Sequence, residues 1–216
     1  MKVTGRASAL LIAFALAACG ETQAGDNRPA GETRNATAEA PSAPPRPRVA
    51  RVAGESILKL AAPADEAAID SARLAAAEAG VTDVTITRVQ SFRVMNGATQ
   101  VATLVAGEGQ APDATFPGCF LALVQDGKVR VVPTISSGNW EMVTCDKVEA
   151  IALLDRGDTL RFGAIYSASS HSGAGTEPVV LDWDRAGADL TINEPLSVKA
   201  SLAGAGTIAK LRAALR

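Results

Sequence analysis

Two dipeptides constrain the fold of this chain more than any other feature: Asn96-Gly97 and Asp126-Gly127, each set between apolar and β-branched stretches. A two-residue hairpin turn of type I′ needs positive φ at both central positions, which Asn-Gly and Asp-Gly accept at least cost. Strands joined in this way run antiparallel. The flanks agree, since Val84-Thr85-Ile86-Thr87 and Phe92-Arg93-Val94 precede the first turn, 101–105 follows it, and 119–124 and 129–135 bracket the second. Segments 148–154 and 160–166 repeat the device around a polar turn at 155–158, and Leu160, Phe162, Ala164 and Tyr166 fall on one face. Val179, Leu181 and Trp183 alternate in the same manner, as do Leu196, Val198, Ala200 and Leu202 against Ser197, Lys199 and Ser201.

Two segments break this period. Residues 65–79 read as a helix, with Pro63 ahead, Asp65 placed to cap, alanines in the middle and Gly80 as a stop. Ile208, Leu211 and Leu215 recur at helical spacing and predict a short amphipathic helix docked on the sheet. The expected fold is therefore α+β, mostly antiparallel β: about nine strands in sequential hairpins with one N-terminal and one short C-terminal helix. A sandwich, a barrel-like closure and a single curved sheet all satisfy the pattern. A chain that is 47% hydrophobic and 20% charged is not disordered throughout, and a formal net charge of −2 without basic runs predicts no nucleic-acid partner.

The N-terminus carries an address. Lys2 and Arg6 precede the apolar run Ala9-Leu10-Leu11-Ile12-Ala13-Phe14-Ala15-Leu16, which is followed by small residues: the order of a secretory signal. The run falls short of the roughly 20 apolar residues that a membrane span needs. Leu16-Ala17-Ala18-Cys19 resembles the lipobox of bacterial lipoproteins. That resemblance implies that Cys19 takes a thioether-linked diacylglycerol, that residues 1–18 are removed, and that the new amine is acylated. Gly20 follows where an aspartate would retain the protein at the inner membrane, so the expected location is the cell envelope, at the outer membrane. The domain would face the periplasm or the cell surface.

Residues 19–50 then read as a lipidated cysteine and a disordered tether, holding Pro29, Pro41, Pro44, Pro45 and Pro47, five of the chain's 11 prolines. As a coil the tether would span roughly 30 Å. Residues 51–216 are expected to form one globular domain. Loss of residues 1–18 removes Lys2 and Arg6 and no acid, so the mature chain is more acidic than the precursor. Membrane attachment is accordingly assigned to acyl chains rather than to surface charge.

With Cys19 lipidated, Cys119 and Cys145 are the two thiols left, and export favours a disulfide between them over two buried thiols or a metal pair. On the chain-entropy account, closing that loop is worth about 3.5 kcal/mol. No metal site and no cofactor are expected, because His171 is the one histidine and there is no CxxC motif.

Catalytic motifs are weak. His171 lies in Ser169-Ser170-His171-Ser172-Gly173, yet a nucleophilic hydrolase needs a base, a serine and an orienting group brought together in space, and no GxSxG elbow is present. Ser56-Ile57-Leu58-Lys59 fits SxxK without its companion motifs, and Gly204-Ala205-Gly206-Thr207-Ile208-Ala209 fits GxGxxA too near the end for a dinucleotide fold and reads as a strand-to-helix turn. Asp182 and Asp184 flank Trp183 and would lie on the opposite face of a strand, where solvated acids are the simpler explanation than a carboxylate pair. Trp140, in Ser136-Ser137-Gly138-Asn139-Trp140, is the candidate contact for a ligand or partner, since a turn-borne ring can present its face to a glycan or peptide.

The functional expectation is an envelope-anchored lipoprotein that acts as a non-catalytic binding or interaction module, with an envelope protein or a glycan as partner. The alternatives are a periplasmic hydrolase using Asp182, Asp184 or His171, and a structural component of an envelope complex.

Overall fold

The computed structural model describes residues 58–156 and 160–216. Signal peptide, Cys19, tether, Ser56 and the centre of the 155–158 turn all lie outside them. The described residues form an α+β fold, mostly antiparallel β, with ten strands and three α-helices. Two strands escaped the sequence reading, β1 (Leu58–Ala61) and β10 (Asp189–Ile192), each of four residues. At that length alternation leaves almost no pattern to read.

The first sheet is built around β4 (Thr99–Gln110), which pairs on one side with β5 (Gly118–Gln125) and, through it, with β6 (Lys128–Ile135). Its other side is shared by two shorter strands: β3 (Phe92–Asn96) covers Thr99 to Leu104, and β2 (Thr82–Ile86) covers Gly107 to Gln110. β1 then pairs with β3. The second sheet has the order β10-β9-β8-β7, with β7 (Thr144–Arg156), β8 (Leu160–Ser170) and β9 (Gly173–Asp184) as its long members.

Of the three architectures left open, the chain adopts the sandwich. The central strands alternate between two buried sides, so β5 sends Cys119, Leu121 and Leu123 to the space between the sheets and Phe120 and Ala122 outward. From the second sheet Phe162, Ala164, Tyr166, Val179, Leu181 and Trp183 complete the central core. The outward face of the first sheet is covered by α1 (Glu66–Glu78) through Ile69, Ala72 and Ala76, and that of the second by α2 (Glu194–Leu202) and α3 (Ile208–Ala214) through Ala200 and Leu211. Small residues let these layers meet. On β4, Gly107 lies under the Phe120 ring, whose Cζ would be 2.3 Å from any added Cβ.

α1 and α2 end by the same device. α1 stops at Gly80 (φ +84°), whose N–H donates to Ala77 O while that of Val81 donates to Ala76 O. α2 stops at Gly204 (φ +63°) with the same two bonds, Gly204 N–H to Ser201 O and Ala205 N–H to Ala200 O. Both are Schellman caps. Gly204-Ala205-Gly206 is thus a tight turn, as expected, but between two helices rather than between a strand and a helix.

Residues 196–202 form a helix, not the strand that their alternation predicts. The Asn193 side chain caps α2 by accepting from Leu196 N–H, and Pro195 in the first turn has the φ a helix needs. Ser197 and Ala200 are buried while Val198 and Leu202 are exposed, so half of the alternating apolar set faces solvent. Asp65 corrects a smaller expectation. It stands at the N-cap without capping, because its Oδ2 accepts instead from Gln100 Nε2 at 2.6 Å.

The turn chemistry holds at Asp126-Gly127, where both residues have positive φ (+50° and +76°). At Asn96-Gly97 the turn is shifted by one residue. Asn96 pairs with Thr99, leaving Gly97-Ala98 as the turn, with positive φ at Gly97 alone. A glycine in the first central position allows an ordinary residue in the second.

Where an edge strand departs from its neighbour, a buried serine completes the ladder. Between β2 and β3, Ala106 O accepts from Thr87 N–H at 2.9 Å and Ala106 N–H donates to Ser91 Oγ at 3.1 Å. Where β10 gives way to α2, Val180 O accepts from Asn193 N–H at 2.8 Å and Val180 N–H donates to Ser197 Oγ at 2.9 Å. Neither serine is accessible to solvent.

Candidate functional site

Trp140 ends a 3-10 turn, Gly138–Trp140, between β6 and β7. Positive φ at Ser136 (+67°) and Gly138 (+53°) reverses the chain, and Ser136 N–H donates to Trp140 O, so the ring folds back into the central core and is 6% exposed. It presents no face to a ligand, and burial of a large apolar surface is the reason. Beside it Cys119 on β5 and Cys145 on β7 are paired as a disulfide, with Cα atoms 5.6 Å apart. The bridge joins the two sheets.

His171 is exposed at the tip of the β8–β9 hairpin, where the Ser170 and Ser172 hydroxyls bond each other at 2.8 Å. Asp182 and Asp184 lie at the far end of β9. At strand rise, Gly173 and Asp182 are roughly 30 Å apart, so the histidine and the carboxylates share no site.

The two carboxylates do meet in a cleft of about 460 Å³ with Asp189, Arg185 and Thr191. All three are engaged structurally. Asp182 accepts from Arg161 Nε through Oδ1 and from Asn193 Nδ2 through Oδ2, both at 2.8 Å. Asp184 Oδ1 accepts from Ala186 N–H in the turn, and Asp189 Oδ1 takes Arg130 Nε at 3.0 Å and its neighbour Leu190 N–H. Trp183, between the two acids in sequence, points inward as expected. It stacks on Phe162 with centroids 5.6 Å apart, lies 5.8 Å beneath the Arg185 guanidinium, and donates from Nε1 to Gln125 Oε1 across the sandwich at 3.0 Å. Among the described residues, no three His, Cys, Asp or Glu side chains are placed to hold a metal ion.

Among the described residues, three groups have displaced proton affinities. The hydrogen bond from Arg88 lowers the solvent-exposed Glu66 carboxyl, and the same bond raises Arg88. Tyr166 is buried between the sheets, and desolvation raises its phenol well above the ordinary range, offset only in part by the nearby Thr134 hydroxyl. Thr134 donates to Cys119 O instead, and among the described residues the Tyr166 hydroxyl has no hydrogen-bond partner of normal geometry.

A further cavity, of about 260 Å³, is lined by Arg161, Arg212, Arg216, Leu154 and Leu215. Sequence reasoning missed it. Arg161 is on β8, Arg212 is within α3, and Arg216 follows one helical turn later, so only docking of the helix unites them. Gly163 permits that docking: Leu211 Cδ2 would be 2.6 Å from a Cβ there. Arg212 is anchored by a bond from Nη2 to Leu153 O at 3.2 Å, and Arg161 by its Asp182 bond.

No family model, curated protein or solved structure matches the chain. The fold is a disulfide-linked antiparallel sandwich with helices on both outer faces.

Proposed function

We propose that the protein is an exported lipoprotein, anchored to the bacterial cell envelope by acyl chains on Cys19, whose domain is a non-catalytic binding or interaction module. One observation carries the second half of that reading: Asp182 and Asp184 are bonded into the fold at one end of β9, and His171 stands exposed at the other. A hydrolase would need these groups free and convergent. The disulfide between Cys119 and Cys145 supports export, because such bonds persist in oxidising compartments. The envelope location, at the outer membrane, and a protein or glycan partner follow from the lipobox resemblance and the tether.

Globomycin, which blocks the lipoprotein signal peptidase, should make a lipidated precursor accumulate, and Cys19→Ser should move the protein from the detergent phase to the aqueous phase. Protein that stays membrane-bound through acyl chains after Cys19→Ser would overturn the anchor. In a strain lacking the protein, His171→Ala and Asp184→Asn should restore function as the wild type does. Failure of either variant at unchanged folding stability would move the assignment to the hydrolase.

A further inference from the structure

We infer that the cavity formed by Arg161, Arg212 and Arg216 is a binding site for a phosphoryl group. Among the described residues its lining brings together three guanidiniums and no Asp or Glu side chain. Like charges gathered around one cavity repel each other, and an anion seated among them converts that repulsion into attraction. Asp182 offsets Arg161, whereas among the described residues Arg212 and Arg216 form no ion pair. Positive charge is thus concentrated here among the described side chains, in a chain whose formal net charge is −2.

The fold prepares this arrangement in advance. Arg161 is held through Nε by a carboxylate, and Arg212 through Nη2 by a backbone carbonyl, so part of the ordering cost of each long side chain is met before a ligand arrives. Guanidiniums have the planar fork that matches phosphate oxygens in pairs. Several of them around one cavity suit the three terminal oxygens of a phosphate monoester, or the tetrahedral phosphodiester of a lipid headgroup, better than a planar carboxylate. Leu154 and Leu215 provide apolar wall for whatever is esterified to it. The surrounding helical layer has the same character: Lys199 and Lys210 join Arg212 and Arg216 against Glu194, and Val198 and Leu202 are exposed at 42% and 86%. A free phosphoryl compound and an anionic lipid headgroup share this chemistry. The inference is independent of the anchor on Cys19.

The test uses the full chain carrying Cys19→Ser, so that acyl chains cannot mediate binding. Calorimetric titration with inorganic phosphate should give saturable binding, with sodium acetate as the carboxylate control. Cosedimentation with phosphatidylglycerol vesicles, against phosphatidylcholine vesicles, separates the sources. Binding in the phosphate arm alone supports a soluble phosphoryl ligand, and retention on phosphatidylglycerol supports a lipid headgroup. In either arm Arg212→Gln should weaken binding about tenfold or more, as expected for loss of a charge-assisted bond. Arg216→Gln provides a second reading at a side chain that makes no hydrogen bond within the described fold, and thermal melts check that both variants stay folded. The inference is overturned if neither arm saturates, if acetate binds as well as phosphate, or if both variants bind like the parent.

Discussion

Gln125 is the polar bolt between the sheets, and replacing it tests how the sandwich is held. Its Oε1 accepts from Trp183 Nε1 at 3.0 Å and its Nε2 donates to Arg185 O at 2.8 Å, with Gln125 9% and Trp183 3% exposed. Gln125→Leu keeps similar bulk and removes both bonds, together with a longer one from Nε2 to Asp126 Oδ2 at 3.3 Å in the exposed turn. The indole N–H is then stranded in a dry site, a cost of about 1–3 kcal/mol, whereas the Arg185 carbonyl sits in an exposed turn and regains water for about 1 kcal/mol. The expected loss is about 2–4 kcal/mol. Trp183→Phe alone removes the donor and part of the packing on Phe162, for about 1–3 kcal/mol.

The double variant leaves no buried donor unpaired, so it should cost less than the sum of the two by about 1–2 kcal/mol. Urea unfolding under oxidising conditions reads this directly. With a slope of about 1–3 kcal/mol per molar, Gln125→Leu moves the midpoint down by about 1–2 M. The chain has two tryptophans, so Trp140 still reports unfolding when Trp183 is replaced. Additivity within about 0.5 kcal/mol would refute the reasoning, since it would mean that the cross-sheet bond carries no energy of its own.

Tyr166 predicts an alkaline limit. Its phenol is raised in the fold, so the associated stability is fully present below the ordinary tyrosine value of about 10 and is lost as pH rises from there toward the folded value. It is the chain's one tyrosine, so phenolate absorbance should appear only with unfolding, and Tyr166→Phe should flatten the alkaline decline in a pH series of melts. Ser197→Ala strands the Val180 amide and should cost about 1–3 kcal/mol in the same urea assay, a large effect for the loss of one oxygen. Gly107→Ala must push the Phe120 ring aside, so a loss of about 1–3 kcal/mol from overpacking should outweigh the roughly 0.5–1 kcal/mol that alanine gains over glycine in a strand.

The sequence showed clearly what is decided locally. Asp126-Gly127 adopts the predicted turn because both positive φ values are properties of those two residues. The Leu160-to-Tyr166 face is right because alternation is a geometric property of the strand. Segment 196–202 misled for the opposite reason: its alternation was genuine, but Asn193 and Pro195 upstream committed the backbone to a helix, and Ser197 found its use as a ladder bond rather than as a solvated face. The ring of Trp140 was placed by the reversal at Ser136 and Gly138, which composition alone does not reveal. The arginine cavity was the least legible feature, because it depends on Gly163 accepting Leu211 from a helix far away in sequence.

The serines at the two strand departures give the molecule separate clocks. The amide of Ala106 and that of Val180 are each held by a hydroxyl belonging to the element that replaces the edge strand, not by a neighbouring strand. When α2 lifts from its sheet, the Val180 proton is released to solvent while the amides of β8 and β9 that pair with one another stay protected. Hydrogen exchange at that single amide therefore times the lifting of the C-terminal helices, and with it the opening of the layer that carries Arg212, while Ala106 times the other side of the sandwich independently.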